Sequence, residues 1–444
     1  MKTKIRFAAA IPVLSLLAAT GARGQQPSLD IEMNEALAAA RSATSAAGLE
    51  AAREELLELS RRYPRRLYPE FPGRSRALVE AATLGRVLGV GNAAAGELLQ
   101  VLEREPESDW TPRAHLELAE LVLTAGDWEL AADHLWRARQ AALLRAAGDG
   151  DQPGDEVAVI ALERMTRIDR LILRPLAGKK PWTRTRIVLP PNYLPEKQQL
   201  KRPRAIAAGP RGEVLVADDS RIVQFGPEWT LETTRQIRGL TRPSFGQAGP
   251  LGGLVPVVPS GSTVMRLDDP SPTRFERPSG GRLEQIVTAF RGPYGDWTVL
   301  SRQVDVVLRY DPQGRLLDFG TATLARPVDM ALGPNGRFLV LDAGQGDEPP
   351  ALLTFRPDGQ LETTLSANWR RPTALDVDRF GNAYVLEERA RQVLVYDPEG
   401  RPIATLGPML PGNIELRAPS DIAVDGMGRI FIAERRLNNV VALE

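Results

Sequence analysis

The chain has 444 residues, and its 56 basic side chains equal its 56 acidic ones. A formal charge of +0 excludes the cationic surface that duplex nucleic acid demands, and 43% hydrophobic with 25% charged residues excludes a disordered chain. With no cysteine and only two histidines, thiol nucleophiles, disulfides, haem attachment and thiolate zinc sites are excluded together.

Residues 1–24 read as a secretory signal. Lys2, Lys4 and Arg6 precede an apolar run from Phe7 to Ala19, and small residues at Gly21, Ala22 and Gly24 lead to Gln25. The run is about 13 residues, short of the ~20 that a spanning helix needs. Its removal takes away Lys2, Lys4, Arg6 and Arg23, leaving 52 basic against 56 acidic residues and a net charge of −4. No later segment resembles a membrane span, and no cysteine is present to carry a lipid. A periplasmic or secreted protein, not integral to a membrane, is expected.

From Leu29 to about Leu173 the chain is rich in Ala, Leu, Glu and Arg at helical spacing, so residues 29–175 are expected to form a helical domain. One stretch carries Leu118 and Ala119, then Gly126, Asp127 and Trp128, then Ala131, Leu135 and Ala138. Small residues at Ala119 and Ala131 let two antiparallel helices approach, Gly126 relieves the turn, and Trp128 and Leu135 fill the gap. This spacing resembles the tetratricopeptide repeat. Looser copies precede it, with Ala82, Gly89, Ala94, Leu98 and Pro106 in one and Ala40, Ala52, Leu56 and Pro64 in the other. An acidic, Gly-rich break from Gly148 to Asp155 follows, and a helix over about 156–173 is expected to cap the stack. Such arrays hold partner proteins, so the resemblance implies a protein-binding surface. The two histidines, His115 and His134, fall on the two helices of the clear repeat, where packing explains them better than metal ligation does.

Residues 176–184 read as a linker, and beyond them the texture changes to short Val, Ile, Leu, Phe and Tyr runs between Gly, Pro and Asp. Pro203, Pro243, Pro327, Pro372 and Pro419 are each followed nine residues later by a glycine, and the prolines lie 40, 84, 45 and 47 residues apart. The gap of 84 holds two units, the second running from Leu283 through Trp297 to Leu300. Each unit has two strands around an Asp- and Gly-containing turn and a third strand, the third strands being 221–225, 263–267, 304–310, 352–355, 392–396 and 440–443. Turns at Pro312-Gln313-Gly314, Pro357-Asp358-Gly359 and Pro398-Glu399-Gly400 lead three of them into an outer fourth strand. Four strands per repeat indicate propeller blades, six in number. The sixth ends at Glu444 after three strands, so the β-prone segment Thr185 to Leu189 is expected to complete it and close the ring. Pro256 and Pro259 predict an irregular second blade. Residues 185–444 therefore resemble the NHL-repeat family of six-bladed β-propellers. The fold expected overall is an N-terminal tetratricopeptide-like α-solenoid followed by that propeller.

Six-bladed propellers include calcium-dependent lactonases, zinc-dependent lyases and proteins without catalysis, so the residues must decide. No histidine occurs in 185–444, which disfavours a histidine-ligated zinc or a histidine base. The acids that recur after the second strand are Asp218, Asp342, Glu387 and Glu434, with Val258 and Ser301 at the matching places in blades 2 and 3. An acid repeated in every good copy predicts a structural role, bonding nearby backbone. No catalytic, cofactor-binding or metal residue is singled out, and no cofactor is implied. The reading that follows is a non-enzymatic protein-interaction scaffold of the bacterial cell envelope. Two others stand beside it. One is a calcium-dependent lactonase or esterase acting in the channel, and the other a carbohydrate-binding envelope protein, on which the scattered Trp182, Trp229, Trp297 and Trp369 do not decide.

Overall fold

The computed structural model describes residues 26–444 apart from 44, 64–72, 147–153, 190–198, 210–211, 219–220, 228, 238–239, 248–253, 270, 293 and 321. The expected signal segment lies outside the described residues, as do Pro64 and most of the Gly148 to Asp155 break. Helices α1 (Gln26–Ser42), α2 (Ala46–Arg62), α3 (Gly73–Val87), α4 (Gly91–Arg104), α5 (Thr111–Thr124), α6 (Trp128–Ala146) and α7 (Gly154–Ile168) come first, each packed on the next. Local chemistry sets their ends. The Ser45 hydroxyl accepts the Gly48 N–H at 3.2 Å to start α2, and Pro112 sits in the first turn of α5. Gly126 takes φ +90° just past α5, and the Asp127 carboxylate accepts the Leu130 N–H at 3.0 Å to start α6. Ala119, Ala131, Leu135 and Ala138 are buried at this crossing, as their spacing predicts. The helix after the break does more than cap the stack. It continues through a π-helical turn (Asp169–Leu173) to Leu176 and docks on the propeller.

Six four-stranded sheets follow, each running from the axis outward. Blades 1 to 5 begin with the inner strands Ala205–Ala208, Ser244–Gln247, Ile286–Arg291, Pro327–Leu332 and Pro372–Val377, and blade 6 with Pro419–Val424. The inner strands pack side by side around the axis. Thr185–Leu189 pairs antiparallel with Asn439–Leu443, Thr185 opposite Leu443 and Leu189 opposite Val440, so the start of the domain supplies the fourth strand of its last blade. A bulge at Val188 leaves Ile187 exposed and turns Val188 and Leu189 inward. The pairing extends one residue further, since Arg184 and Glu444 exchange backbone bonds at 3.0 and 2.8 Å.

The apolar core of the ring consists of six clusters, one between each pair of adjacent blades. The cluster joining blade 6 to blade 1, with Leu189, Ile206, Phe225, Phe431 and Val440, exists only because the ring is closed. Blade 2 is more regular than its prolines predict. Leu254–Ser260 forms a seven-residue strand in which Pro256 and Pro259 offer carbonyls to Leu267 and Thr241, and the irregularity falls on an outer strand of two residues, Thr273–Arg274. The third strand of blade 3 is shorter than predicted, Leu308–Tyr310.

The helices cross one face of this ring, the face carrying the turns between inner and second strands. Arg170 donates to the Met427 carbonyl at 2.6 Å and Trp182 to that of Gly428 at 2.9 Å, both in the blade 6 turn. Arg167 lies 5.5 Å from the ring centre of Phe380 in the blade 5 turn. Tyr294, in the turn of blade 3, packs against the core of the N-terminal helices. Blades 3 and 6 are opposite each other in a six-membered ring, so the helical stack arches over the mouth of the channel. No described helix is long and apolar enough to cross a membrane.

Candidate functional site in the propeller channel

Two rings of acids surround the axis, and they differ in what they bond. The ring expected from the repeat behaves as a backbone clasp. The Asp342 carboxylate accepts the N–H groups of Ala325, Arg326 and Gly344, and Glu387 those of Arg371 and Ala390. Glu434 accepts from Arg417, Ala418 and Arg436, and Asp218 from Lys201 and the Arg221 guanidinium. Each carboxylate ties the segment entering its own blade to that blade's second strand. Ser301 makes an equivalent tie in blade 3, donating to the Glu284 carbonyl at 2.6 Å and accepting the Gln303 N–H at 3.0 Å.

The second ring lies on the inner strands themselves, and reasoning from the repeat passed over it. Asp329 and Asp421 stand two residues after the leading prolines of blades 4 and 6, and Asp376 four residues after that of blade 5. Each accepts an N–H from the next blade: Leu375 to Asp329 at 2.7 Å, Val424 to Asp376 at 2.6 Å, and Ile206 to Asp421 at 2.8 Å. Arg242, immediately before the proline of blade 2, reaches across the axis. Its guanidinium pairs with Asp329 at 2.8 Å, with Asp421, and with the Thr373 carbonyl. Arg326 and Arg371 also precede blade prolines, but donate instead to the Ala343 carbonyl and to Glu388. Arg-Pro is thus repeated in sequence, while of these three copies Arg242 alone reaches the axial acids.

Electrostatics separates these acids further. Burial pushes the Asp329 carboxyl up to about 7, against the pull of Arg242 and with the repulsion of Asp421. Burial likewise raises Asp421, and the two acids share the one Arg242 guanidinium. Among the described residues Asp376 has no cation beside it. Its two oxygens accept only the N–H groups of Val424 and Val377, and burial raises it to about 7.

A cavity of ≈ 210 Å³ follows the axis. Arg242, Asp329 and Asp421 form its floor, Asp376 its wall two residues nearer the turns, and Gly333, Arg379 and Gly426 its rim. Among the described residues no three His, Asp or Glu side chains converge as metal ligands. The point where Asp329 and Asp421 meet is taken by the Arg242 guanidinium.

The ring is similar to known enzymes. Solved structures that match it include a gluconolactonase from Xanthomonas campestris, 16% identical with a TM-score of 0.43, covering 55% of this chain and 87% of that one. A streptogramin B lyase is 12% identical with a TM-score of 0.41, covering 55% and 94%. The virginiamycin B lyase from Staphylococcus aureus is 11% identical with a TM-score of 0.38, covering 55% and 97%. At these values the likeness is to the fold alone. No protein-family model matches the chain, and no curated protein is significantly similar to it.

The expectation of a chain without enzymatic activity is corrected here. The solved propellers it is similar to are enzymes, and its own channel holds acid–base groups that the repeat-based reading left out. The tryptophans considered for carbohydrate binding are packing side chains. Trp182, Trp297 and Trp369 are buried, and Trp229 meets Phe431 edge-on at 5.2 Å. His115 and His134 face each other, their Nδ1 atoms 3.0 Å apart.

Proposed function

We propose that this chain is a propeller enzyme that moves a proton by general acid–base catalysis in its axial channel, on a small ester or lactone. The observation that carries this reading is Asp376, a carboxyl lining the cavity, lacking a cation partner among the described residues, and raised to about 7. Ionised, it takes a proton from water as the water oxygen bonds to the substrate carbonyl carbon. It then returns that proton to the alkoxide oxygen as the C–O bond breaks. The Arg242, Asp329 and Asp421 set fixes the floor, and the proton of the Asp329 carboxyl, lent to the carbonyl oxygen as charge develops there, returns when the carbonyl re-forms. A guanidinium already stands between Asp329 and Asp421, so the proposed chemistry does not use calcium. The test is hydrolysis of a panel of aliphatic lactones and aryl esters by the full chain. Asp376→Asn should lower kcat/KM by roughly 10²–10⁴-fold, the usual contribution of a positioned acid–base group.

We take the protein to be exported, with residues 1–24 as signal and the periplasm or exterior as its compartment. We divide it at 29–175, 176–184 and 185–444, with tetratricopeptide-like repeats in the first part and NHL-like blades in the last. A protein partner on the outer faces of the helices is compatible with a channel enzyme.

A further inference from the structure

Between the helical arch and the channel mouth lies a set of guanidinium groups that the acid–base reading does not use. On the helices, Glu117 is held by Arg86 at 3.2 Å and Arg113 at 2.8 Å, and Glu120 by Arg164 at 3.1 Å and Arg167 at 3.4 Å. Burial alone would raise Glu120, but Arg164 and Arg167 bring it down to about 2, so it stays charged. Facing these from the propeller is Arg379 in the blade 5 turn. Its surroundings include Glu120, Arg164 and Arg86, which belong to three different helices. Arg379 makes no hydrogen bond within the protein and no ion pair within 4 Å among the described residues, it is exposed, and it lines the same cavity as Asp376 and Arg242. Asp378 also faces this gap, buried and held by Asn382 and Tyr384, and Glu80 lies behind it on the helices, near Arg113 and Glu117. Among the described residues Arg379 is therefore the guanidinium of this set that has no ion pair, and it stands at the rim of the cavity.

We propose that the gap beneath the arch is the way into the channel and that Arg379 makes it a binding site for an oxyanion group, so that the substrate is a small carboxylate or phosphate ester or lactone. The inference rests on the channel being the reaction site and adds its substrate class. A rim cation backed by excess positive charge, between low-dielectric walls, concentrates small anions and orients them with the charged end outward. The uncharged end of such a molecule then points down the axis towards Asp376, two residues in from the turn that carries Asp378 and Arg379. Oxyanion recognition by guanidinium is directional, and Arg379 has its full set of donors available.

The test is calorimetric titration of the full chain with succinate and with inorganic phosphate, using uncharged succinamide as the matched control. Succinate and phosphate should bind at 20 mM ionic strength and weaken severalfold at 200 mM, while succinamide should not bind. Arg379→Gln should weaken anion binding about tenfold and Arg379→Glu should abolish it, each with an unchanged melting temperature because the side chain is exposed. Arg315→Gln, an equal change of charge on the outer edge, should leave binding as it is. Asp376→Asn should bind succinate as well as the wild type does or better. Binding kept in that variant while turnover is absent from both proteins would sink the acid–base reading and leave the anion site standing. Equal binding of succinamide, or no effect of Arg379→Gln, would overturn the anion site whatever the turnover shows.

Discussion

Closure of the ring by residues 185–189 predicts that two neighbouring apolar side chains will respond very differently to truncation. Leu189 is 1% exposed in the cluster joining the last blade to the first, among Val188, Leu200, Phe431 and Val440. Leu189→Ala opens a cavity whose walls are two different blades. With little scope for collapse it should cost about 2–5 kcal/mol. Ile187, two residues away on the same strand, is 43% exposed, so Ile187→Ala should cost under about 1 kcal/mol. The assay is urea denaturation of the full chain followed by near-ultraviolet circular dichroism, which reads the packed propeller aromatics Trp297 and Trp369. A lower midpoint at unchanged slope is the expected signature of lost stability. Equal costs for the two variants, or under about 1 kcal/mol for Leu189→Ala, would refute closure by this strand.

Three further outcomes follow from named groups. Asp376, raised to about 7, is held more tightly as the acid when folded; that stabilisation is full below about pH 4 and lost as pH rises through 7, so Asp376→Asn should gain on the wild type between pH 5 and pH 8. Over that interval the gain is bounded at about 3 kcal/mol and reduced by water in the cavity, and urea midpoints at the two pH values read it directly. His115 behaves oppositely, because burial and then His134 push it down to about 4; the unfolded chain takes up the proton first, so stability present above about pH 6.5 is lost as pH falls towards 4, and His115→Gln should flatten that slope in far-ultraviolet melts. Glu434, fully buried and accepting three backbone N–H groups, should cost about 2–3 kcal/mol when changed to Gln, whose amide turns a donor towards donors; a calorimetric melt unchanged by that substitution would contradict its role as a clasp.

Much of the architecture was legible because it repeats. A proline and a glycine nine residues apart mark the blades, and a β-prone segment placed before the first blade could only pair with a last blade that lacked its fourth strand. The outer ring of acids was legible for the same reason, since Asp342 and Glu434 recur where a backbone clasp is needed. The channel was not, because its chemistry departs from the repeat inside strands that otherwise read as core. Asp329 and Asp421 occupy a place held by Ala374 in blade 5 and Ala205 in blade 1. An acid at that small, inward position was the available signal. Arg242 gave none, since Arg202, Arg326 and Arg371 share its place before a proline and only the long-range pairing distinguishes it. The docking of α7 on the turns was equally hidden, because Arg167 and Arg170 bond carbonyls that any sequence would supply.

The central claim, that Asp376 carries a proton in the channel, is tested most directly by the pH dependence of kcat/KM for a carboxylate-bearing lactone, measured for the wild type and for Asp376→Asn. A base raised to about 7 predicts a wild-type rate that climbs as pH rises through 7 and then levels, with a fall of about 10²-fold or more and loss of that inflection in the variant. Absence of turnover in the wild type, or a variant that keeps both the rate and the inflection, would contradict it.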